Sequence, residues 1–173
     1  PFPVNIDKIK FTPLDVSGKI KIFHGINRIN YYKKGNNHFC EALKQIQTTY
    51  KERVEIVEVE SIPYKDYIKL YNASHILLDQ THAYDQGYNA LEAMAQGKVV
   101  FSGFSDGFKS HYNITKTIGI HTTPDVEVIV KKLSWIIENP EEIIKISENA
   151  RAYIETYHNY SIVAQTYLET WES

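Results

Sequence analysis

Five short apolar runs alternate along this chain with stretches whose apolar residues recur every three or four positions, and that alternation excludes most folds. The runs are Lys19–His24 (KIKIFH), Arg53–Val59 (RVEIVEV), His75–Leu78 (HILL), Lys98–Ser102 (KVVFS) and Thr117–His121. The second alternates with the period of two of a half-buried strand, whereas the third is continuous, as in a strand covered on both faces. Helical spacing appears over Asn36–Tyr50, through Phe39, Leu43 and Ile46, and over Tyr64–Asn72, with Tyr67, Ile68 and Tyr71 inward. Further helices are predicted over Tyr88–Gln96, ended by Gly97, and from Asp125 to Glu138, through Val126, Ile129, Val130, Leu133 and Ile137. Another follows Asn139-Pro140 to Tyr157, and a last one runs to Trp171 with Ser161 as its cap. Gly103–Asn113 reads as loop. Trp135 is expected to pack its helix onto the sheet, and Trp171 to belong to a C-terminal anchor. Strand and helix alternating throughout predict right-handed β-α-β units: an α/β, Rossmann-like parallel sheet with helices on both faces. Ligands of such sheets sit beyond the C-terminal strand ends, at the switch in strand order. Chemistry is therefore expected in the loops after His24, Leu78 and Ser102.

With 173 residues the chain holds one full hydrophobic core. Residues 1–18, with three prolines and no period, read as a strap or interdomain linker, and residues 19–173 as the ligand-binding domain. The start at Pro1, without an initiator methionine, reads as a piece of a longer protein. A formal net charge of -2 gives no global field for nucleic acid or an anionic membrane, so any anion site must be local. No apolar run is long enough to span a bilayer. The single cysteine, Cys40, forms no internal disulfide and points to a reducing cytoplasm.

The first expected loop reads HGINRINYYKKG, from His24 to Gly35. Gly25 lets the backbone approach a ligand closely. Arg28 and Lys34, six apart, suit a diphosphate: Arg grips two oxygens and Lys adds a point charge. Alone, such a loop is more often a solvated basic surface. The second reads DQTHAYDQGYNALEAMAQGKVVFSG, from Asp79 to Gly103. Gly87 precedes a helix whose first amides, on Tyr88, Asn89 and Ala90, can face an anion. Glu92 can accept two ribose hydroxyls, and Asp79 and Gln80 read as turn or sugar-contact residues. Seven histidines show no HExxH-like spacing, so no metal ligands are assigned. GxxxxGK[ST], GxGxxG and GxSxG are all absent, which removes a P-loop, a dinucleotide fingerprint and a nucleophile elbow.

The segment GYNALEAMAQGKVVFSG resembles the G-x-x-x-LEAMA-x-G-K-x-V stretch of GT-B glycosyltransferases of family 4 and related group 1 enzymes. Arg28, five intervening residues and Lys34-Gly35 resemble their R-x5-K-G motif. The resemblance covers Lys19 to Gly103. It implies the C-terminal, donor-binding half of a hexosyltransferase-type enzyme, with Arg28 and Lys34 on the donor pyrophosphate as catalytic groups and Glu92 on the ribose. Ile62, Pro63 and Tyr64 fall where the family contacts the base. Tyr84 stands where the family carries its first glutamate, with Asp85 beside it, so these two are expected near the transferred sugar. The family moves a sugar from a nucleotide diphosphate sugar to a hydroxyl acceptor with retention, here with no metal and no cofactor. The implied partner is a missing N-terminal acceptor domain, without which the fragment is expected to be inactive. The implied setting is bacterial polysaccharide synthesis, cytoplasmic, with any inner-membrane contact through the missing domain. A nucleotide-sugar epimerase half and a non-catalytic nucleotide-binding module are the alternatives.

Overall fold

The computed structural model describes residues 1–172. Its five strands, β1 (Ile20–Ile26), β2 (Val54–Glu60), β3 (Ile76–Leu78), β4 (Val99–Ser102) and β5 (Ile120–His121), form one sheet in the order β2-β1-β3-β4-β5. All the pairings are parallel, with Ile22 opposite both Ile56 and Ile76, and Leu77 opposite Val100. The chain steps outward from β1 to β2 and then returns to the other side of β1 for β3. The loops leaving β1 and β3 therefore lie side by side at the switch point of the sheet, the place where ligands of such sheets bind.

Neighbouring residues of each strand feed opposite cores. Ile22, Ile76, Leu78, Val99 and Phe101 face helices α1 (Asn36–Thr49) and α5 (Val126–Glu138), against Phe39, Leu43, Ile129 and Leu133. Phe23, Leu77 and Val100 face the other way, toward α3 (Tyr88–Gln96) and α6 (Pro140–Tyr157), against Leu91, Met94 and Ile154. Each of these large side chains, taken out of water, stabilises by about 1.5–3 kcal/mol. The remaining helices are α2 (Tyr64–Asn72), α4 (Asp106–His111) and α7 (Tyr160–Glu172).

Residues 4–12 lie along α3 and α6, and Leu14 and Val16 pack against the opposite core. Val4 bridges to Asn159, the Thr12 amide donates to Gln96, and the Arg151 guanidinium donates to the carbonyls of both Ile9 and Ala95. Gly97 ends α3 at φ 93°, and a Cβ there would stand 2.6 Å from the Phe11 ring. Only glycine meets both conditions.

Four expectations change. The 103–113 segment contains α4, whose Ser105 hydroxyl accepts from the Phe108 amide; six residues are too few to show a period. The cap of α7 is Asn159, which accepts from the Ser161 amide, and Ser161 lies inside the helix. Trp135 is exposed, because Leu133, Ile136 and Ile137 already fill the inner face of α5. Trp171 is also exposed and anchors nothing among the described residues.

Candidate functional site

The loop after β1 is built by its own polar groups. Asn27 accepts from the Ile29 amide and starts a single 3-10 turn, Arg28–Asn30. Gly35 then turns into α1 at φ 72°, and a side chain there would collide with Thr81. The Thr81 amide donates to the Lys34 carbonyl at 2.9 Å, so the loops after β1 and β3 are fastened together at the switch point.

That fastening sets Lys34 over Asp79. The ammonium lies 2.9 Å from Asp79 Oδ1, and the Asn89 side chain donates to the same oxygen at 3.3 Å. Ser102, at the end of β4, donates to Oδ2 at 3.1 Å. One buried carboxylate thus ties the β1 loop, β3, β4 and the first turn of α3 to each other. Gly87 precedes α3 in extended conformation and supplies no capping side chain. The amides of Tyr88, Asn89 and Ala90 have no partner within the helix and carry its positive end. Lys34 and that helix end are therefore assembled on one residue.

Arg28 is held differently. Its guanidinium makes two hydrogen bonds to the Glu60 carboxylate, one from Nε to Oε1 and one from Nη2 to Oε2 at 2.6 Å, and lies 5.1 Å over the Tyr31 ring. Arg28 is exposed and Glu60 half-buried. Glu92 is exposed on α3 one turn beyond the amides. Burial, then the charges of Tyr67 and Glu92, push the Tyr71 hydroxyl far above the usual tyrosine range, and it donates to the Asn89 carbonyl at 3.3 Å. After β2, Ile62 is half-buried, Pro63 precedes α2 and Tyr64 is exposed. The space in front of Gly25 holds the Tyr67 ring, 3.0 Å from where a Cβ would stand.

The 79–87 loop is pinned at its far end by Gly103. A Cβ there would collide with the Ala83 carbonyl and stand 2.6 Å from the Asp85 nitrogen, and the buried Gln86 amide donates to the Gly103 carbonyl. The side chains of Tyr84 and Asp85 point to solvent. A cavity of about 320 Å³, lined by Thr81, His82, Tyr84, His121 and Thr122 among others, opens on one side of this loop. A second, of about 250 Å³, is walled by Phe2, Asp85, Phe108 and Tyr153 and contains neither Lys34 nor Glu92. The polar assembly on Asp79, rather than either cavity, gathers the charged groups.

Under the β1 loop lies a cluster that sequence spacing does not show. His24 is fully buried, with Nε2 2.9 Å from Asn36 Oδ1 and Nδ1 3.2 Å from Glu58 Oε1. Asn36 donates its amide nitrogen to the Tyr31 carbonyl, which aims its oxygen at His24, so both ring nitrogens donate. Burial pushes the imidazole down, but hydrogen bonds with Cys40, Glu58 and Asn36 outweigh it and carry its pKa to about 9. The bond from His24 holds Glu58 below the usual carboxylate range.

A family model described as glycosyl transferase-like matches residues 22–169. Nothing among curated proteins matches the chain. Among solved structures, a sucrose-phosphate synthase from Thermosynechococcus elongatus superposes with a TM-score of 0.72 at 16% identity, covering 99% of this chain and 51% of its own. The C-terminal domain of a glycosyl transferase group 1 family protein from Francisella tularensis gives 0.64 at 18%, covering 90% and 98%. Anabaena HepE, solved in complex with UDP, gives 0.69 at 20%, covering 98% and 56%. This chain thus spans about half the length of the first and third, and nearly all of the second.

Proposed function

From the premise that this chain belongs to the glycosyl transferase-like family and has the architecture of one half of a GT-B fold, we propose that it is the donor-binding half of a sugar transferase of the group 1 type. The observation that carries this reading is the meeting of Lys34, Asn89 and the uncapped start of α3 on Asp79, at the sheet's switch point. A cation beside a helix's positive end is an anion site built from two independent sources of charge. A nucleoside diphosphate fits it, and UDP is the nucleotide of choice because HepE, with the same fold, was solved with UDP and with UDP-glucose.

In the proposed reaction the bond between the sugar's anomeric carbon and the diphosphate breaks as the acceptor oxygen bonds to that carbon, the acceptor's proton passes to the departing diphosphate, and charge grows on the departing oxygens before it arrives. Lys34 and the α3 amides meet that charge. Arg28 leaves Glu60 and adds a two-pronged contact. Preorganised donors in this role do what a divalent cation does elsewhere, so no metal is required at the diphosphate. Glu92, on the exposed face of α3, takes the ribose hydroxyls, and the Ile62–Pro63–Tyr64 turn takes the base. Tyr84 faces the sugar from the His82 and His121 cavity, with Asp85 beside it on the wall of the second cavity, and the Tyr67 ring in front of Gly25 turns aside for β1 to end close to the nucleotide. A sugar acceptor needs a second domain, so isolated residues 1–173 bind donor and turn over little of it. Retention of the anomeric configuration belongs to the same proposal.

Calorimetry with UDP tests the assignment. Arg28→Ala is expected to weaken binding by about tenfold or more, the worth of a charged two-pronged contact. Glu60→Gln frees the guanidinium and is expected to tighten binding by up to about fivefold, a small effect because the Arg28 end of the pair is exposed. Glu92→Ala should weaken uridine as well as UDP. Unchanged affinity in both Arg28→Ala and Glu92→Ala would sink the assignment.

A further inference from the structure

The His24, Cys40 and Glu58 side chains come from β1, α1 and β2, and their ligand atoms all lie within 4.8 Å of one another. His24 Nδ1 is 3.2 Å from Glu58 Oε1 and 4.0 Å from Cys40 Sγ. A tetrahedral ion with bonds of about 2.0–2.1 Å to nitrogen and oxygen and about 2.3 Å to sulfur sets those edges at about 3.3 and 3.6 Å. The first edge is already met, the second needs a shift of a few tenths of an ångström, and the Cys40–Glu58 edge, which lies within 4.8 Å, closes to about 3.6 Å as the exposed Glu58 side chain turns inward. The Asn36 oxygen fixes a hydrogen on Nε2, so in the neutral ring the lone pair sits on Nδ1, the nitrogen that faces the other two groups. An outer partner that selects the ligating nitrogen is a regular feature of histidine metal sites.

We propose that His24 Nδ1, Cys40 Sγ and Glu58 Oε1 bind a divalent transition-metal ion of the zinc type, with solvent as the fourth ligand. Imidazole and thiolate together select such ions over magnesium and calcium, which prefer oxygen. The Glu58 side chain is 40% exposed and opens the way in. Binding releases the Nδ1 proton and the thiol proton, and the ion takes the place of the His24–Glu58 hydrogen bond. The site lies beneath the loop that carries Arg28 and Lys34, with the Tyr31 hydroxyl 3.7 Å from the cysteine sulfur. The ion would hold β1, β2 and α1 together beneath that loop and takes no part in contacting the donor.

Metal-stripped protein titrated with Co²⁺ tests this without reference to nucleotide binding. The expected result is a thiolate-to-cobalt charge-transfer band that saturates at one ion per chain and bleaches on adding Zn²⁺. Magnesium at the same concentration should not compete. Cys40→Ser should abolish the band, and Glu58→Gln, on a half-exposed side chain, should weaken cobalt binding about tenfold or more. Native circular dichroism in both variants establishes that they fold. No charge-transfer band in the wild type, or a band that persists in Cys40→Ser, overturns the site. The cobalt band is read without nucleotide and UDP affinity without cobalt, so the metal site and the donor assignment fail separately.

Discussion

Gly103→Ala is expected to lower the melting temperature by about 10 °C, the shift produced by about 3 kcal/mol of overpacking in a chain of this size. Nothing in the backbone conformation of residue 103 demands glycine, since its φ is not positive. The demand is space. The added carbon would collide with the Ala83 carbonyl oxygen and lie 2.6 Å from both the Ala83 carbonyl carbon and the Asp85 nitrogen. All three are backbone atoms, which cannot turn aside as the end of a side chain can. The 79–87 loop must lift off the end of β4, and the buried Gln86 loses its bond to the residue 103 carbonyl. Because that loop delivers Gly87 to the start of α3, UDP affinity should fall together with stability. Gly107→Ala is the matched control: only Ser105 Oγ, at 4.0 Å, is near its added carbon, and its melting temperature should stay within a degree or two of wild type. Differential scanning calorimetry of the two variants decides the matter, and a Gly103→Ala protein as stable as wild type would show that the loop is not pinned there.

Lys34→Ala is expected to cost folding stability and nucleotide affinity together, and a second substitution should separate them. Removing the ammonium leaves the Asp79 carboxylate buried with only the Asn89 and Ser102 donors. Breaking a buried pair costs about 3–5 kcal/mol, and because the Lys34 side chain is 32% exposed the expected loss is about 2–3 kcal/mol. UDP binding should weaken by about 1.5–3 kcal/mol, the range for a charged hydrogen bond. Adding Asp79→Asn removes the stranded charge with little change of shape. The double variant should recover most of the stability in urea denaturation while its UDP affinity stays low. Recovery of affinity along with stability would mean that Lys34 acts only by supporting the fold.

Most helices and β2 were legible from their periods and the short central strands from continuous apolar runs, and the loops after β1, β3 and β4 followed from the parallel arrangement. Arg28, Lys34, Gly87 and Glu92 stood out by spacing within short segments. Asp79 read only as a turn or sugar-contact residue, because its importance lies in partners 10, 23 and 45 residues away, which only the folded chain brings together. His24, Cys40 and Glu58 were hidden for the same reason: parallel pairing sets His24 beside Glu58 across β1 and β2, and no interval along the chain announces it. The six-residue α4 gave no periodic signal, and the exposed face of Trp135 could not be read from an apolar count that places every large residue inward. Gly103 looked like any loop glycine until Ala83 was found against it.

The two basic residues each rest on a carboxylate, Arg28 on Glu60 and Lys34 on Asp79. The charges of these two cations are consequently balanced where they stand, and the proposed donor site would offer little to chloride or other singly charged ions. A visitor must out-compete two resident acids, and a group bearing two or more negative charges is best equipped to do so. In the proposed donor site, selectivity for polyanions would thus reside in the acids with which the protein already occupies its own cations.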